Sequence, residues 1–146
     1  MNAQKLTEKS QKALADAQQM AASRGHQGID AEHLLHALLE SEEGLATALL
    51  ARAAVDKGAM QMALEKALQQ VAKVRGPGHD ASPAFMTQRL VRLLAQAESE
   101  AATLKDDYIS IEHLLLALLA DTEAAGASLR AGGLDRPALL SALQTI

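Results

Sequence analysis

Several residue types are absent or rare in this chain of 146 residues. It has no cysteine and no tryptophan, and Phe85 and Tyr108 are its only phenylalanine and tyrosine. Without cysteine the chain can form no disulfide, no cysteine-ligated zinc site and no thiol nucleophile. So few aromatic rings also argue against a surface that stacks nucleic-acid bases.

Long runs of charge or of apolar residues are missing as well. The chain has 14 Lys and Arg against 18 Asp and Glu, a net charge of −4, with no basic block. Binding to phosphates depends on clustered cations, so nucleic-acid binding is not expected. No apolar run reaches the ~18 residues of a membrane span, and the N-terminus lacks the apolar core of a signal peptide. We therefore expect a cytoplasmic protein without membrane contact.

What the chain does contain is an internal repeat. Residues 6–39 align without a gap on residues 86–119, eighty positions later, and 14 of the 34 aligned pairs are identical. The densest match sets Ile-Asp-Ala-Glu-His-Leu-Leu-His-Ala-Leu-Leu against Ile-Ser-Ile-Glu-His-Leu-Leu-Leu-Ala-Leu-Leu. A composition rich in Ala and Leu does not explain a Glu-His pair kept in register. The chain is therefore a duplicated unit.

Each repeat predicts four helices, because apolar residues recur at helical spacing after residues that favour helix N-caps. The expected starts are Thr7, Asp30, Glu43, Asp56, Thr87, Ser110, Glu123 and Asp135. The helices over 29–39 and 109–119 are too apolar to face water, so we expect them inside.

These patterns predict an all-α fold of two tandem four-helix repeats, packed on each other with pseudo-twofold symmetry. Repeat one is expected over residues 1–74 and repeat two over 86–146, joined by a linker at 75–85 that is dense in Gly and Pro. Together they are expected to form a single domain over residues 1–146.

One helix face carries candidate metal ligands. His33, His36 and Glu40 lie at i, i+3 and i+7, so they share a stripe of the second helix. A zinc-protease helix would need Glu directly after the first His and the second His four positions after the first, whereas this chain reads His-Leu-Leu-His. The second repeat keeps only the first of the three, at His113, which favours helix packing. No metal site is predicted.

Acidic residues offer no better candidate for catalysis. Glu32 and Glu112 stand in the first turns of their helices, where a carboxylate interacts favourably with the helix dipole. Asp106 and Asp107 form an acidic pair that is best interpreted as a solvated loop, since a glycoside hydrolase needs a second carboxylate across a cleft. The sequence has no nucleophile-elbow serine and no Gly-rich phosphate loop. We predict no catalytic residue and no enzyme activity for this fragment.

The doubled unit is a Thr-capped amphipathic helix followed by Ile-x-x-Glu-His-Leu-Leu-x-Ala-Leu-Leu, and it resembles the N-terminal domain of the Clp ATPases. The resemblance covers essentially the whole chain. Residues 68–76, the linker and residues 105–109 are most similar to the ClpB disaggregase branch. In that family the two repeats form a globular domain ahead of the ATPase rings. The chain stops before a nucleotide-binding module would begin, so we expect it to be an excised domain.

The resemblance also implies a function. It implies a substrate-binding domain that captures unfolded or aggregated polypeptide through a weak apolar groove and delivers it to the ATPase ring of its own chain. ATP and Mg²⁺ would serve the full-length protein and not this fragment, and a DnaK-type chaperone system would cooperate with the full-length protein.

The site residues that the resemblance implies follow from its motifs. The residues that handle substrate fall on Thr7, Asp106 and Glu112, with Leu94 and Tyr108 as apolar contacts. Packing of Tyr108 over the central helix is the alternative for that side chain. The resemblance also implies a shallower or more polar groove here, because relatives carry apolar residues at three positions, Gln96, Glu100 and His113.

Two other functions stay open on the sequence. One is an adaptor-docking N-terminal domain of a Clp protease ATPase, in which carboxylates recognise a small folded partner or a modified side chain. The other is a helical scaffold that dimerises.

Overall fold

The computed structural model describes residues 3–41, 44–72 and 84–146. Within these ranges the chain forms eight α-helices, which confirms the predicted all-α fold. They are α1 (Glu8–Ser23), α2 (Ala31–Glu40), α3 (Leu45–Arg52), α4 (Lys57–Gln69), α5 (Gln88–Thr103), α6 (Ile111–Leu119), α7 (Ala124–Ala131) and α8 (Arg136–Gln144). None of these helices is long and apolar enough to cross a membrane.

Helix starts follow the N-cap residues of the sequence. Thr7 and Thr87 occupy equivalent caps: their hydroxyl oxygens accept hydrogen bonds from the backbone N–H groups of Ser10 and Leu90, both at 3.1 Å. Such a bond satisfies an N–H group that has no partner inside the helix, and is worth ~1 kcal/mol. The third helix begins at Leu45, and the expected start near residue 43 lies outside the described residues.

The two repeats are joined by backbone pairing that the sequence did not predict. Strand β1 (Gly28–Ile29) runs parallel to strand β2 (Phe85–Met86), and Leu6 forms a parallel bridge with Ile109. The residue before the first helix of each repeat thus pairs with the residue before the central helix of the other repeat. This reciprocal exchange is the pseudo-twofold relation at the level of the backbone.

The hydrogen bonds of this exchange are closely matched. The N–H of Thr7 donates to the carbonyl of Ile109 at 3.1 Å, and the N–H of Thr87 donates to the carbonyl of Ile29, also at 3.1 Å. Of the expected linker at 75–85, residues 75–83 lie outside the described residues, and Phe85 already belongs to β2.

The core lies where the central helices meet. Leu34 and Leu35 of α2 and Leu114 and Leu115 of α6 are all 0% exposed, as expected for two helices too apolar to face water. Burying such side chains is the main stabilising contribution to the fold, at about 1.5–3 kcal/mol each.

Candidate functional site

Thr7 is fixed against the segment that follows Tyr108. Its hydroxyl caps α1 and also donates to Ser10 Oγ at 2.9 Å, and Ser10 Oγ in turn donates to the carbonyl of Ile109 at 2.9 Å. The backbone N–H of Thr7 donates to the same carbonyl, so two hydrogen bonds join the start of α1 to the segment before α6. The structure therefore brings Thr7 next to the loop that carries Asp106 and Tyr108.

His113 links Asp106 to the start of α6. Its ring is completely buried, and Nδ1 accepts a hydrogen bond from the backbone N–H of Ser110 at 2.8 Å. An imidazole nitrogen that accepts carries no proton, so the proton of the neutral ring is on Nε2. Nε2 then donates to Asp106 Oδ2 at 2.8 Å, which fixes this carboxylate while leaving 47% of its side chain exposed.

Glu112 adds a second carboxylate beside this pair. One of its oxygens, Oε2, is buried without a hydrogen-bond partner in the described part of the chain. Asp106, Glu112 and His113 each offer one possible metal ligand, and these atoms lie within 4.8 Å of one another. A metal would need the lone pair of His113 Nε2, which exists only if the proton moves to Nδ1 and the N–H of Ser110 loses its acceptor. We therefore do not assign the cluster as a metal site.

Tyr108 is an exposed residue of the loop between α5 and α6. Its side chain is 59% exposed, and the preceding Asp106 and Asp107 are exposed as well. The loop leaves α5 through Lys105, whose φ of 61° is the left-handed conformation that ends many helices. This exposure favours the hypothesis that Tyr108 contacts a partner over the hypothesis that it packs on the central helix.

Leu94 does not lie on a surface groove. It is 2% exposed and packs in the core on the inner face of α5, so a bound polypeptide would not reach it in this conformation. Glu100 is also buried, at 6% exposure, and its carboxylate accepts hydrogen bonds from the Arg136 guanidinium at 2.8 and 2.9 Å. These hydrogen bonds lower the pKa of Glu100. At Glu100 the expected polar flank of α5 is thus an ion pair between a buried carboxylate and a half-exposed guanidinium.

The first repeat carries a different version of the histidine arrangement. His33 Nδ1 accepts from the N–H of Asp30 at 2.9 Å, while its Nε2 lies 2.8 Å from Nδ1 of the buried His26. Burial, helped by the neighbouring His26, lowers the pKa of His33 to about 4. The His33 ring thus contacts His26, whereas His36 Nε2 lies 3.6 Å from Glu40 Oε1.

Arg89 is a residue that sequence reasoning missed. Its side chain is only 20% exposed, and its guanidinium contacts the carboxylates of Asp30 and Glu32 in repeat one and of Asp121 and Glu123 in repeat two, at 2.6–3.2 Å. Burial alone would lower the pKa of Arg89, but the hydrogen bonds to Glu32 and Asp121 raise it above its ordinary value. No motif marked this residue, because its four partners come from two short segments far from it in the sequence, residues 30–32 and 121–123.

The surface formed by Thr7, Asp106, Tyr108 and Glu112 carries two carboxylates and one exposed aromatic ring, and backbone hydrogen bonds join its two segments. Such a surface suits weak contact with an extended polypeptide better than chemistry on a small molecule.

Comparison with known proteins identifies the family of the chain. A family model described as the Clp repeat (R) N-terminal domain matches residues 5–131. The chaperone protein ClpB of Nitratidesulfovibrio vulgaris is 40% identical over 100% of this chain, which spans 17% of that relative's length.

Solved structures show the same fold. The Hsp104 N-terminal domain from Candida albicans superposes with a TM-score of 0.76 at 20% identity, over 94% of this chain and 87% of that one. A ClpV N-domain in complex with a VipB peptide gives a TM-score of 0.66 at 21% identity, over 83% and 71% of the two chains. The chain is a member of the Clp repeat N-terminal domain family, with ClpB chaperones among its relatives.

Proposed function

We propose that this chain is the substrate-binding N-terminal domain of a ClpB-type disaggregase. In this proposal it captures unfolded or aggregated polypeptide and delivers it to the ATPase ring of its own chain. The observation that carries the proposal is the exposed Tyr108, flanked by the carboxylates of Asp106 and Glu112 on a segment that Thr7 holds in place. Residues 1–146 would form one domain, with repeat one at 1–74 and repeat two at 86–146.

The energetics support weak and tolerant binding. One exposed ring with a small acidic surround offers little area, so we expect a Kd on the order of 100 μM for one domain. Several domains tethered around one pore would raise the overall affinity without any tight site, because the second contact becomes intramolecular.

In this proposal the ATPase ring and the cooperating chaperone are not part of residues 1–146. ATP and Mg²⁺ would act in the ring modules, since the sequence has no Gly-rich loop followed by Lys and Ser or Thr that could cradle phosphates. A DnaK-type chaperone and a cytoplasmic location belong to the same proposal for the full-length protein.

An NMR titration tests the proposal directly. The ¹⁵N-labelled domain is titrated with a permanently unfolded protein, and with the same protein in its folded form as the control. We expect shifts confined to the unfolded titrant and clustered at Thr7, Tyr108 and Glu112. Absence of shifts at millimolar titrant would overturn direct capture.

Matched variants locate the contact. Tyr108→Ala and Asp106→Asn should each weaken binding about three- to tenfold, by loss of the ring and of a fixed carboxylate. Asp107→Asn removes a neighbouring exposed carboxylate with no described hydrogen-bond partner, so it should leave binding unchanged. Equal loss in Asp106→Asn and Asp107→Asn would show that only net charge matters.

Adaptor docking is the second candidate function. It is favoured by the fold shared with a ClpV N-domain that has been solved with a defined peptide. A folded adaptor would give shifts that an apolar peptide competitor does not reverse, whereas capture of unfolded polypeptide would be reversed.

A further inference from the structure

One peptide group next to Tyr108 is held at both of its ends. The carbonyl of Ile109 and the N–H of Ser110 belong to the same peptide bond, directly after Tyr108. The carbonyl accepts two hydrogen bonds from the start of α1, one from a backbone N–H at 3.1 Å and one from Ser10 Oγ at 2.9 Å. The N–H donates to His113 Nδ1 at 2.8 Å. Because a peptide group is planar, these three hydrogen bonds fix its orientation.

The two side chains that hold this peptide group are themselves out of reach of a partner. Ser10 and His113 are both 0% exposed, so neither touches a bound polypeptide in this conformation. Each makes a further hydrogen bond to a residue of the candidate site. Ser10 Oγ accepts from the Thr7 hydroxyl at 2.9 Å. His113 Nε2 donates to Asp106 Oδ2 at 2.8 Å, so the peptide group and both site residues form one hydrogen-bonded network.

The equivalent peptide group of repeat one has fewer hydrogen bonds. The carbonyl of Ile29 accepts from the N–H of Thr87 at 3.1 Å, as in repeat two. Leu90, however, stands at the position equivalent to Ser10 and has no side-chain group that could donate. The Thr87 hydroxyl donates to Asp30 Oδ1 at 3.0 Å instead. Of the two equivalent peptide groups, the one in repeat two therefore has an additional hydroxyl donor.

The capping histidines of the two repeats differ as well. His33 and His113 each accept a hydrogen bond from the backbone N–H of their N-cap residue. Nε2 of His33 faces the buried ring of His26, whereas Nε2 of His113 faces Asp106, whose side chain is 47% exposed. Helix capping alone does not require this difference, because repeat one caps its central helix without the carboxylate.

From this asymmetry we infer that Ser10 and His113 are positioning residues of the candidate site: they hold the peptide group after Tyr108 at both of its ends. They thereby set where the Tyr108 ring and the Asp106 carboxylate lie when a polypeptide binds. Thr7 contributes through the same network, because its hydroxyl donates to Ser10. Such preorganisation raises affinity, since binding does not have to order the loop. The inference rests on the proposed function, because it assigns residues that act on the same site.

A matched pair of buried serines tests the first residue. Ser10→Ala removes the hydroxyl donor, and Ser128→Ala removes a similarly buried hydroxyl that donates to the Ala124 carbonyl within α7 at 2.8 Å. Binding of a permanently unfolded protein is measured by NMR titration of the complete chain. We expect Ser10→Ala to weaken binding about threefold and Ser128→Ala to leave it unchanged. Unchanged affinity in Ser10→Ala would overturn the assignment of Ser10.

Three substitutions separate the two hydrogen bonds of His113. His113→Gln keeps an acceptor for the Ser110 N–H and a donor for Asp106, so its binding should equal that of the unsubstituted chain. His113→Glu keeps the acceptor but repels Asp106, and His113→Leu loses both hydrogen bonds. Each of these two should weaken binding about three- to tenfold. His33→Glu makes the same change at the equivalent helix start and should leave binding unchanged.

The comparison of His113→Glu with His113→Gln is the decisive one. Equal binding by these two variants would overturn the assignment of His113. The amide spectrum of each variant reports whether it folds. If His113→Leu does not fold, the two variants that keep the helix cap still give the answer.

Double-mutant cycles distinguish positioning from a general loss of stability. In the Tyr108→Ala background, Ser10→Ala should weaken binding no further, because its effect passes through the ring. In the Asp106→Asn background, His113→Glu should likewise have no further effect. Additive losses in both cycles would overturn the inference while leaving capture intact. Absence of binding by the unsubstituted chain would instead overturn the proposed function, and the inference with it.

Discussion

At the scale of single residues, one side chain performs the same local task in two surroundings. His33 and His113 each accept a hydrogen bond from the backbone N–H of the N-cap residue of their helix, Asp30 or Ser110, which places the remaining proton on Nε2. That proton faces a second imidazole, His26, in repeat one and a carboxylate, Asp106, in repeat two. Protonation of the ring would break the capping hydrogen bond in either case.

We expect His33 to make the domain sensitive to acid. Burial lowers its pKa from 6.5 to about 4, and the neighbouring His26, Arg24 and His36 act in the same direction, whereas the Asp30 carboxylate acts to raise it. Between these two values the unfolded chain binds a proton at His33 and the folded domain does not. The free energy of unfolding is therefore complete above pH 6.5 and falls as pH drops towards 4, by about 3 kcal/mol at 1.4 kcal/mol per pH unit.

Urea denaturation across this pH range measures the effect. His33→Gln keeps an acceptor for the Asp30 N–H but does not titrate, so it should flatten the loss of stability. His36→Gln removes a partly exposed imidazole and should leave the pH dependence of stability unchanged. An unchanged pH slope in His33→Gln would contradict the assignment.

The local sequence predicted the caps but not their partners. Thr7, Asp30 and Ser110 mark helix starts by residue type alone. The partners His26 and Asp106 sit seven residues before their histidines, across a loop, where no periodicity connects them. The available signal was that His26 and Asp106 occupy equivalent positions of the two repeats, eighty residues apart. Leu94 was expected to contact substrate but is buried. A stripe of leucines on α5 is compatible with a face packed in the core and with a face that lines a groove, so the sequence alone could not decide between them.

At the scale of elements, the start of α7 is set tightly against the loop before it. The N–H of Gly126 donates to Asp121 Oδ2 at 3.1 Å, and Asp121 also holds Arg89. A Cβ at position 126 would collide with the backbone carbonyl of Asp121. Only glycine allows the helix and loop to approach this closely.

Gly126→Ala should therefore cost at least about 2 kcal/mol of unfolding free energy, because the backbone of the loop must move. Gly58→Ala on α4 is the matched control: its Cβ would meet Asp56 Oδ1 at 3.4 Å, an ordinary contact. That control should gain about 0.5 kcal/mol from helix propensity. Thermal unfolding of both variants gives the comparison, and a neutral Gly126→Ala would mean that the loop yields easily.

Helices were predictable and the strands were not, for a physical reason. A helix of two or more turns displays its period and its cap in the sequence. The strands β1 and β2 are two residues long, too short to show alternation, and their pairing joins residues far apart in the chain. The linker composition gave no sign that Phe85 would lie in one of them.

At the scale of the whole molecule, the repeats are tied together by charge as well as by backbone. Arg89 of repeat two pairs with Glu32 of repeat one, whose side chain is 9% exposed. Glu32 also accepts a hydrogen bond from the N–H of Ala125 at 3.1 Å. One guanidinium thus fixes α2, α5 and the start of α7 relative to one another.

Arg89→Leu should destabilise the domain by about 3 kcal/mol, since it leaves carboxylates in low-exposure positions without their cation. Arg92→Leu removes an exposed guanidinium with no described ion pair and should change stability by less than about 0.5 kcal/mol. Chemical denaturation of both variants tests this. Similar losses would mean that bulk charge, and not the cluster, stabilises the fold.

Neither repeat should fold alone. A fragment of residues 1–74 lacks the partners of Leu6 and Ile29, and a fragment of 84–146 lacks those of Met86 and Ile109. We expect little helical circular dichroism from either fragment and recovery of the signal when they are mixed. A cooperative unfolding transition in an isolated fragment would contradict this.

The reciprocal exchange between the repeats has an evolutionary meaning. A single repeat cannot pair its own Leu6-type residue with its own Ile29-type residue, but two copies related by a twofold axis can pair both, as in an isologous homodimer. The domain has the architecture of such a dimer fused into one gene product. Fusion removes the concentration dependence of assembly and frees each half to diverge. The two repeats now differ at equivalent positions, with Lys9 and His26 in one and Arg89 and Asp106 in the other.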